Sequence, residues 1–461
     1  MKKNDLLKVL GITFLVFVLL SFVLPAGSYS SGTFTSLTTI PVGLYDLIRT
    51  PLITIATFIQ YGLLFLAIGG FYGVLNETSA YSKLIEKITK KFKHKRVWFL
   101  IISVLVFTIL ASLFGSLNVL FILVPFMTTI LLKLGYSKIT SLVSTVGSML
   151  IGQLGSILNA DIWGYLMLAF GVKLNSLLIA RIIIFVVIVT LLILIVIKKS
   201  KNEKIKNDDI PLYEENKSKK SYIPIIIMGL ITFVLLVMGC YNWNSTYEVE
   251  LFENIHTSIM DFKIANYPVA SNIIGTISSI GNFNNYDIIT ILVFSSLIIG
   301  WIYSVKFSDI LSSFAEGTKK MIKPAIYSML SCVIFAALLN MTSGNFVNTM
   351  VNKFISGTEN FNLLSTLGSG LVIGFAYNDF YYVLSNFYTV FGVYDLNTLP
   401  IVSLVFQTMY GFVMLIAPTS LFLLAGLSYL EVPYKEWVKY IWKYLLIIFG
   451  IIVLMLFILT I

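Results

Sequence analysis

Long apolar runs separated by short polar interruptions dominate this chain. Residues 6–24, 52–75, 177–197, 223–240, 288–303 and 444–461 are almost uniformly apolar. Each comes close to or exceeds the roughly 20 residues that a helix needs to cross a hydrocarbon core. Four further segments are equally apolar but broken near the middle. Segment 97–133 breaks at Gly115-Ser116-Leu117-Asn118, and 139–172 at Asn159-Ala160-Asp161. Segment 362–393 breaks at Tyr377-Asn378-Asp379, and 399–430 at Ala417-Pro418-Thr419-Ser420. Inside a bilayer an unpaired backbone group costs several kcal/mol, roughly, so these breaks must face protein, water or a bound molecule.

Threading the runs with a cytoplasmic N-terminus treats 97–133 and 362–393 as hairpins that enter and leave on one side. It places 27 of the 32 Lys and Arg residues on the cytoplasmic side, in groups at Lys2/Lys3/Lys8, 83–96, Lys133/Lys138, 198–220, 306–323 and 435–443. That asymmetry is the positive-inside pattern. A cleaved signal peptide is the alternative for the first run, which is nevertheless long enough to span. The halves also echo each other. Leu75-Asn76-Glu77-Thr78-Ser79 recurs as Leu339-Asn340-Met341-Thr342-Ser343, and Pro51 has an analogue in Pro324. Each copy is followed at similar spacing by a hairpin break and a broken helix. The expected fold is an all-α polytopic membrane protein of two inverted repeats, each with a re-entrant hairpin and a broken transmembrane helix. Its parts are a first repeat (1–198), a charged cytoplasmic linker (199–221), a linking span (222–241), an external loop (242–286) and a second repeat (287–461). The linker reads as a solvated charge run.

Composition narrows the function. The chain of 461 residues is 57% hydrophobic and 12% charged, with mean hydropathy +0.91. A soluble domain has about 25% charged residues, so a soluble enzyme is excluded. Cys240 and Cys332 lie in apolar runs, and His94 and His256 lie far apart in polar loops, which leaves no metal or His-based catalytic cluster. The net charge of +10 is carried by the loops and does not point to nucleic acid. No Gly-rich phosphate loop precedes a Lys-Ser/Thr pair, so nothing supplies ATP chemistry.

What remains is a secondary transporter whose site is built from the breaks. Half-helix ends carry partial charges, and converging breaks make a polar pocket near the midplane. The candidate substrate-binding residues are Ser116, Asn118, Ser156, Asn159, Tyr377, Asn378, Gln407, Thr419 and Ser420. Asp161 and Asp379 are candidates for ion coupling or counter-charge, since a carboxylate at mid-membrane costs roughly 3 kcal/mol unless it meets a cation or takes up a proton. Arg181, near the outer end of its span, reads as snorkelling to the headgroups. The breaks hold no Lys or Arg, which favours an amino acid or amine-bearing solute over a C4-dicarboxylate. Na⁺ or H⁺ is the expected coupling ion, and no other cofactor is called for. An ion channel is the further alternative. A 29-to-3 excess of Lys over Arg suggests an AT-rich bacterium, and hence its cell membrane.

Several blocks resemble a known family. Ser313-Phe314-Ala315-Glu316-Gly317 followed by Met321-Ile322-Lys323-Pro324-Ala325 is similar to the "SFTEG…MIxPA" signature of the YfcC family, which belongs with the anaerobic C4-dicarboxylate carriers of the ion-transporter superfamily. Leu134-Gly135-Tyr136-Ser137-Lys138-Ile139-Thr140 resembles its "LGYDSIT" turn, and Leu24-Pro25-Ala26-Gly27 its "VPVG". Phe406-Gln407 and Ala417-Pro418-Thr419-Ser420 through Glu436-Trp437 resemble its C-terminal "FQ…YPTS…WLK". The resemblance implies a scaffold, a moving part that carries both hairpin tips, and a homodimer. Members are described as C4-dicarboxylate carriers or basic amino-acid antiporters. Both tips depart from the family: Gly115-Ser116-Leu117-Asn118 replaces Gly-Glu-Glu, and Gly374 to Asp379 replaces Ser-Gly-Ser-Gly-Gln.

Overall fold

A computed structural model describes residues 5–30, 32–201, 203, 210–216, 220–341, 343–356, 361–391 and 394–460. Lys2, Lys3, Thr342, the hairpin end at 392–393 and much of the charged linker lie outside the described residues. The chain is mostly helical. Among the described residues, seven helical stretches are long and apolar enough to cross a membrane: Asp5–Val23, Ile59–Glu77, Ala80–Leu113, Leu178–Ser200, Asn285–Ile302, Ile322–Leu339 and Tyr434–Thr460.

The first half begins with α1 (Asp5–Val23), a β-hairpin of β1 (Gly27–Ser30) and β2 (Thr33–Ser36), then α2 (Leu44–Thr57) and α3 (Ile59–Glu77). The charged run after them forms an amphipathic helix, α4 (Ala80–Phe92). The first expected hairpin is α5 (Arg96–Leu113), α6 (Leu117–Phe121) and α7 (Val124–Lys133), turning where Gly115 takes φ +87°. The first broken helix runs as α8 (Lys138–Leu142), a π-helical turn over Val143–Gly147, and α9 (Ser148–Leu154). After the break come a second π turn, Ala160–Gly164, and α10 (Tyr165–Phe170); α11 (Leu178–Ser200) closes the half. The linking helix α12 (Ile223–Gly239) leads into a loop containing α13 (Trp243–Tyr247), α14 (Leu251–Met260), the strands β3 (Lys263–Ile264) and β4 (Tyr267–Pro268), and α15 (Val269–Ile274).

The second half opens with α16 (Asn285–Ile302) and the amphipathic α17 (Phe307–Lys320). A span split into α18 (Ile322–Leu330) and α19 (Val333–Leu339) follows, then α20 (Phe346–Ile355). The second hairpin is α21 (Leu363–Ala376) and α22 (Phe380–Phe391), and the second broken helix is α23 (Leu399–Met414) and α24 (Leu421–Tyr429). The last helix is α25 (Tyr434–Thr460).

Packing follows the small residues. In lipid, helices associate by close van der Waals fit, and glycine lets their backbones approach. On α3, Gly69, Gly70 and Gly73 face α17. A Cβ on Gly73 would lie 2.1 Å from the Ser313 carbonyl oxygen, and one on Gly317 would lie 2.1 Å from that of Gly69. The Phe314 ring covers Gly70, and Met321 covers Gly69. The Ser313–Gly317 and Met321 block is thus a helix-packing device. A second packed group joins α5 to α9, α9 and α21 to α23, and α25 to α11 and α23.

The linker departs from expectation. Residues 210–216 are docked against the body, with Leu212 only 1% exposed, while residues 214–216 stay exposed. The Asn76 amide donates to the Leu212 carbonyl (3.0 Å) and accepts from the Glu214 N–H (3.2 Å). Ser82 Oγ accepts from the Asn216 N–H at 3.2 Å. The Tyr429 hydroxyl donates to the Pro211 carbonyl (3.2 Å), while Glu214 pairs with Lys320 (2.8 Å) and Glu215 with Lys133 (3.5 Å). A charge count alone misses this because Ile210, Pro211 and Leu212 supply an apolar foot.

Candidate functional site

The hairpin tips and breaks meet around a cavity of about 250 Å³. Five of the expected site residues line it: Asn118, Asp161, Asn378, Asp379 and Ser420. Gln153 and the aromatic side chains of Tyr61, Tyr165, Tyr381 and Tyr410 join them, and the lining contains no Lys or Arg. Asp379 is positioned by helix capping. It precedes α22, and its Oδ1 accepts the Tyr381 N–H at 2.9 Å, satisfying one of the orphan donors at that helix start. Asp161 sits in the first turn of the π segment Ala160–Gly164. Gly115 lets the first tip close onto that turn: a Cβ there would stand 2.5 Å from Asn159 Oδ1 and 3.1 Å from the Asp161 carboxyl carbon.

Two polar atoms around the cavity have no partner among the described residues. Asn118 donates to Asn285 Oδ1 at 2.7 Å, leaving its own Oδ1 unmatched. Ser420 Oγ is likewise unmatched, on a residue 1% exposed. The second tip is tied down by Asn378: its carbonyl accepts from the Tyr410 hydroxyl (3.1 Å), and its amide reaches Cys332 Sγ (3.0 Å).

Of the remaining expected residues, Gln407 and Asn159 serve the backbone around the first break. Every carbonyl from Leu154 to Asn159 has a donor. Gln407 Nε2 serves Leu154 (3.0 Å) and Ser156 (3.2 Å), and Ser112 Oγ serves Gly155 (2.8 Å). The Tyr247 hydroxyl serves Leu158 at 2.6 Å, and the Trp163 N–H serves Asn159 at 2.8 Å. Asn159 itself caps the π turn through the Ile162 N–H (3.1 Å) and donates to the Ala111 carbonyl (3.0 Å). Ser156 is buried with its hydroxyl unmatched, Tyr377 donates to Asn386 Oδ1 (3.1 Å), and Thr419 donates to the Phe375 carbonyl (3.2 Å). Ser116 stands at the first tip but outside the cavity lining.

Arg181 does not snorkel. It is fully buried, and its guanidinium lies 3.5 Å over the Trp163 ring. It donates to the carbonyls of Ser156 (3.3 Å), Ile157, Leu174 (2.6 Å) and Ser176 (3.2 Å). Trp163 Nε1 in turn donates to Gln407 Oε1 at 2.9 Å, which joins the first break to α23. The second break is held the same way from α25, where Trp437 Nε1 donates to the Leu415 carbonyl (2.9 Å) and Tyr434 to that of Ile416. Each broken helix is therefore clamped by the last helix of its own half. The sequence hint for Arg181 was its rarity, one of three arginines in an otherwise lysine-rich chain. The cavity tyrosines were missed because an aromatic in an apolar run looks like core. Tyr381, two residues from Asp379, was the available signal.

The C4-dicarboxylate anaerobic carrier family, DcuC, matches residues 5–461. The chain belongs to that family. It is a multi-span membrane transporter of small molecules and not an enzyme. Two solved structures are similar over most of their length. One is the YdaH transporter of Alcanivorax borkumensis, at 13% identity and TM-score 0.39, covering 97% of this chain and 96% of that one. The other is MtrF of Neisseria gonorrhoeae, described with a class of antimetabolite efflux pumps. It has 12% identity and TM-score 0.41, covering 98% of this chain and 94% of that one. No curated relative matches by sequence.

Proposed function

We propose that this carrier moves a small amine-bearing solute, an amino acid in the simplest case, through the cavity between Asp161 and Asp379 by alternating access. The observation that carries the reading is the charge of the lining: two carboxylates and no Lys or Arg. A dianion entering this space would lose water without gaining a counter-charge. An ammonium group gains one, and the aromatic lining of Tyr61, Tyr165, Tyr381 and Tyr410 suits a cation as well. Asn118, Asn378, Gln153 and Ser420 remain to hold a carboxylate at the other end. One of the two aspartates is free to hold a coupling Na⁺ or H⁺. Operation as a homodimer, in a cell membrane with the N-terminus inside, belongs to the same proposal.

The second reading is a C4-dicarboxylate carrier, favoured by the family's own description. In that case both aspartates must be protonated or cation-bound while the substrate is present. Proteoliposomes loaded for uptake and counterflow, with labelled amino acids against succinate-like dicarboxylates, separate the two. Asp379→Asn sharpens the test, because asparagine caps a helix as well as aspartate but lacks the charge. The expected result is amino-acid transport that falls roughly 10- to 100-fold in the variant, the worth of one charge-assisted contact. Its dependence on pH or Na⁺ should flatten. Transport of dicarboxylates alone would establish the second reading, and unchanged uptake in Asp379→Asn would move the site elsewhere.

A further inference from the structure

A second cavity, of about 380 Å³, lies between α3, α4, the return arm of the first hairpin and α12. It shares no lining residue with the substrate cavity. Its walls are almost wholly apolar, with Leu84 and Ile88 on α4 facing Ile226 and Leu230 on α12. It exists because α12 is held to the other side. Thr232 Oγ1 and Ser295 Oγ are 2.8 Å apart, fastening α12 to α16. Facing α4, Gly229 lines the cavity, and a Cβ there would meet nothing within 4 Å. Leu230, another lining residue, is 60% exposed in the bare protein.

One end of the crevice is cationic. Lys87, one position before Ile88, sets its ammonium on the Tyr222 hydroxyl and 4.8 Å from that ring's centre, one turn before Ile225 and Ile226. Lys83 Nζ donates to the Lys220 carbonyl at 3.1 Å, and Lys220 Nζ donates to the Tyr303 carbonyl at 3.3 Å. Helix α4 carries Lys83, Lys87, Lys90 and Lys91 against the single acid Glu86, which already pairs with Lys90 at 3.5 Å. Lys83 and Lys87 thus bring two cations to the α4 side of this apolar slot, while the Lys220 ammonium turns to α16.

We propose that this crevice is a site for an anionic phospholipid, with one acyl chain lying along Gly229 and the headgroup phosphate at Lys83 and Lys87. A free phosphate would have no use for the slot, and a neutral lipid none for the lysines. Basic groups at the ends of such inter-helix pockets select anionic headgroups. The lipid completes the packing of α12, the helix that joins the two halves, where Gly229 leaves open space.

Native mass spectrometry of the full-length protein tests this, after exchange into mixed micelles holding phosphatidylglycerol and phosphatidylcholine with identical chains. Wild type should retain phosphatidylglycerol preferentially. Gly229→Phe, which fills the slot from a position with open space, should lose the adduct. The double variant Lys83→Gln/Lys87→Gln lies at the surface and is safe for folding. It should lower the preference for the anionic lipid roughly 10- to 30-fold, given about 1 kcal/mol per lysine. Equal retention of both lipids by wild type, or undiminished phosphatidylglycerol on a folded Gly229→Phe protein, would overturn the proposal.

Discussion

Replacing Arg181 by leucine removes the centre of the clamp on the first break, and the structure sets the size of the effect. The guanidinium serves four carbonyls, of which Ser156 has a second donor in Gln407. Leu174 and Ser176 lie in the loop before α11 and can recover water. Ile157, partly buried in the break itself, loses the donor that Arg181 supplies. An orphaned buried carbonyl costs about 1–3 kcal/mol. Loss of the cation stacked 3.5 Å over Trp163 adds about 1–2 kcal/mol. With weakened bonds at the other carbonyls, the total is about 3–5 kcal/mol, at the upper end for a single substitution. Arg181→Lys should recover about half of it, since an ammonium cannot span carbonyls on both sides of the ring as a planar fork does. Thermal unfolding of purified protein, followed by tryptophan fluorescence, gives the readout. The expected order of melting temperature is wild type, then Arg181→Lys, then Arg181→Leu, with several degrees between the ends. A leucine variant that melts with wild type would refute the clamp and restore a surface role for this arginine.

Three further outcomes follow from the same geometry. Gly115→Ala should abolish transport at near-normal expression, because alanine is strained at φ +87° and its Cβ would meet Asn159 at 2.5 Å, so the first tip can no longer seat on Asp161; normal uptake would show that the tip is adaptable. Gly317→Val should cut the yield of folded protein by wedging α17 from α3, where even a Cβ falls 2.1 Å from the Gly69 carbonyl, whereas Gly11→Val, in open space on α1, should not. Single cysteines at positions 95 and 138 should react with a membrane-impermeant maleimide from the same side, and opposite-side labelling would mean that the first hairpin crosses the membrane.

The pattern of apolar runs and their interruptions made much of the architecture legible. Hairpin tips and helix breaks must carry Gly, Asn, Asp or Pro in an apolar setting, so Gly115, Asn118, Asn159, Asn378 and Pro418 announce themselves. Which of these face the cavity was not legible. Asn118 and Asn159 look equivalent in sequence, yet one lines the cavity and the other caps a π turn. The difference depends on which donors tertiary packing brings near each break, and those come from far away: Gln407 lies about 250 positions from the carbonyls it serves. The matched landmarks Asn76 and Asn340 also diverge. Asn76 is buried and holds the linker, while Asn340 is exposed. Matching sequence landmarks in the two halves therefore need not do matching work.

The docked linker segment changes how the two halves communicate. Its bonds to Asn76 and Ser82 lie on α3 and α4, and that to Lys320 on α17, which packs against α3 through glycine. Those to Lys133 and Tyr429 lie on the first hairpin and the second broken helix. A segment of seven residues thus spans the seam between α3, α4 and α17 on one side and the first hairpin and second broken helix on the other. If these groups shift against one another, residues 210–216 must stay with one and release the other. The connection between the halves is then more than a tether: it sits across the seam as a brake shoe whose grip is set by two exposed ion pairs and one buried leucine. Ionic strength loosens the first and leaves the second untouched, so salt acts on this carrier through residues that do not line the cavity between Asp161 and Asp379.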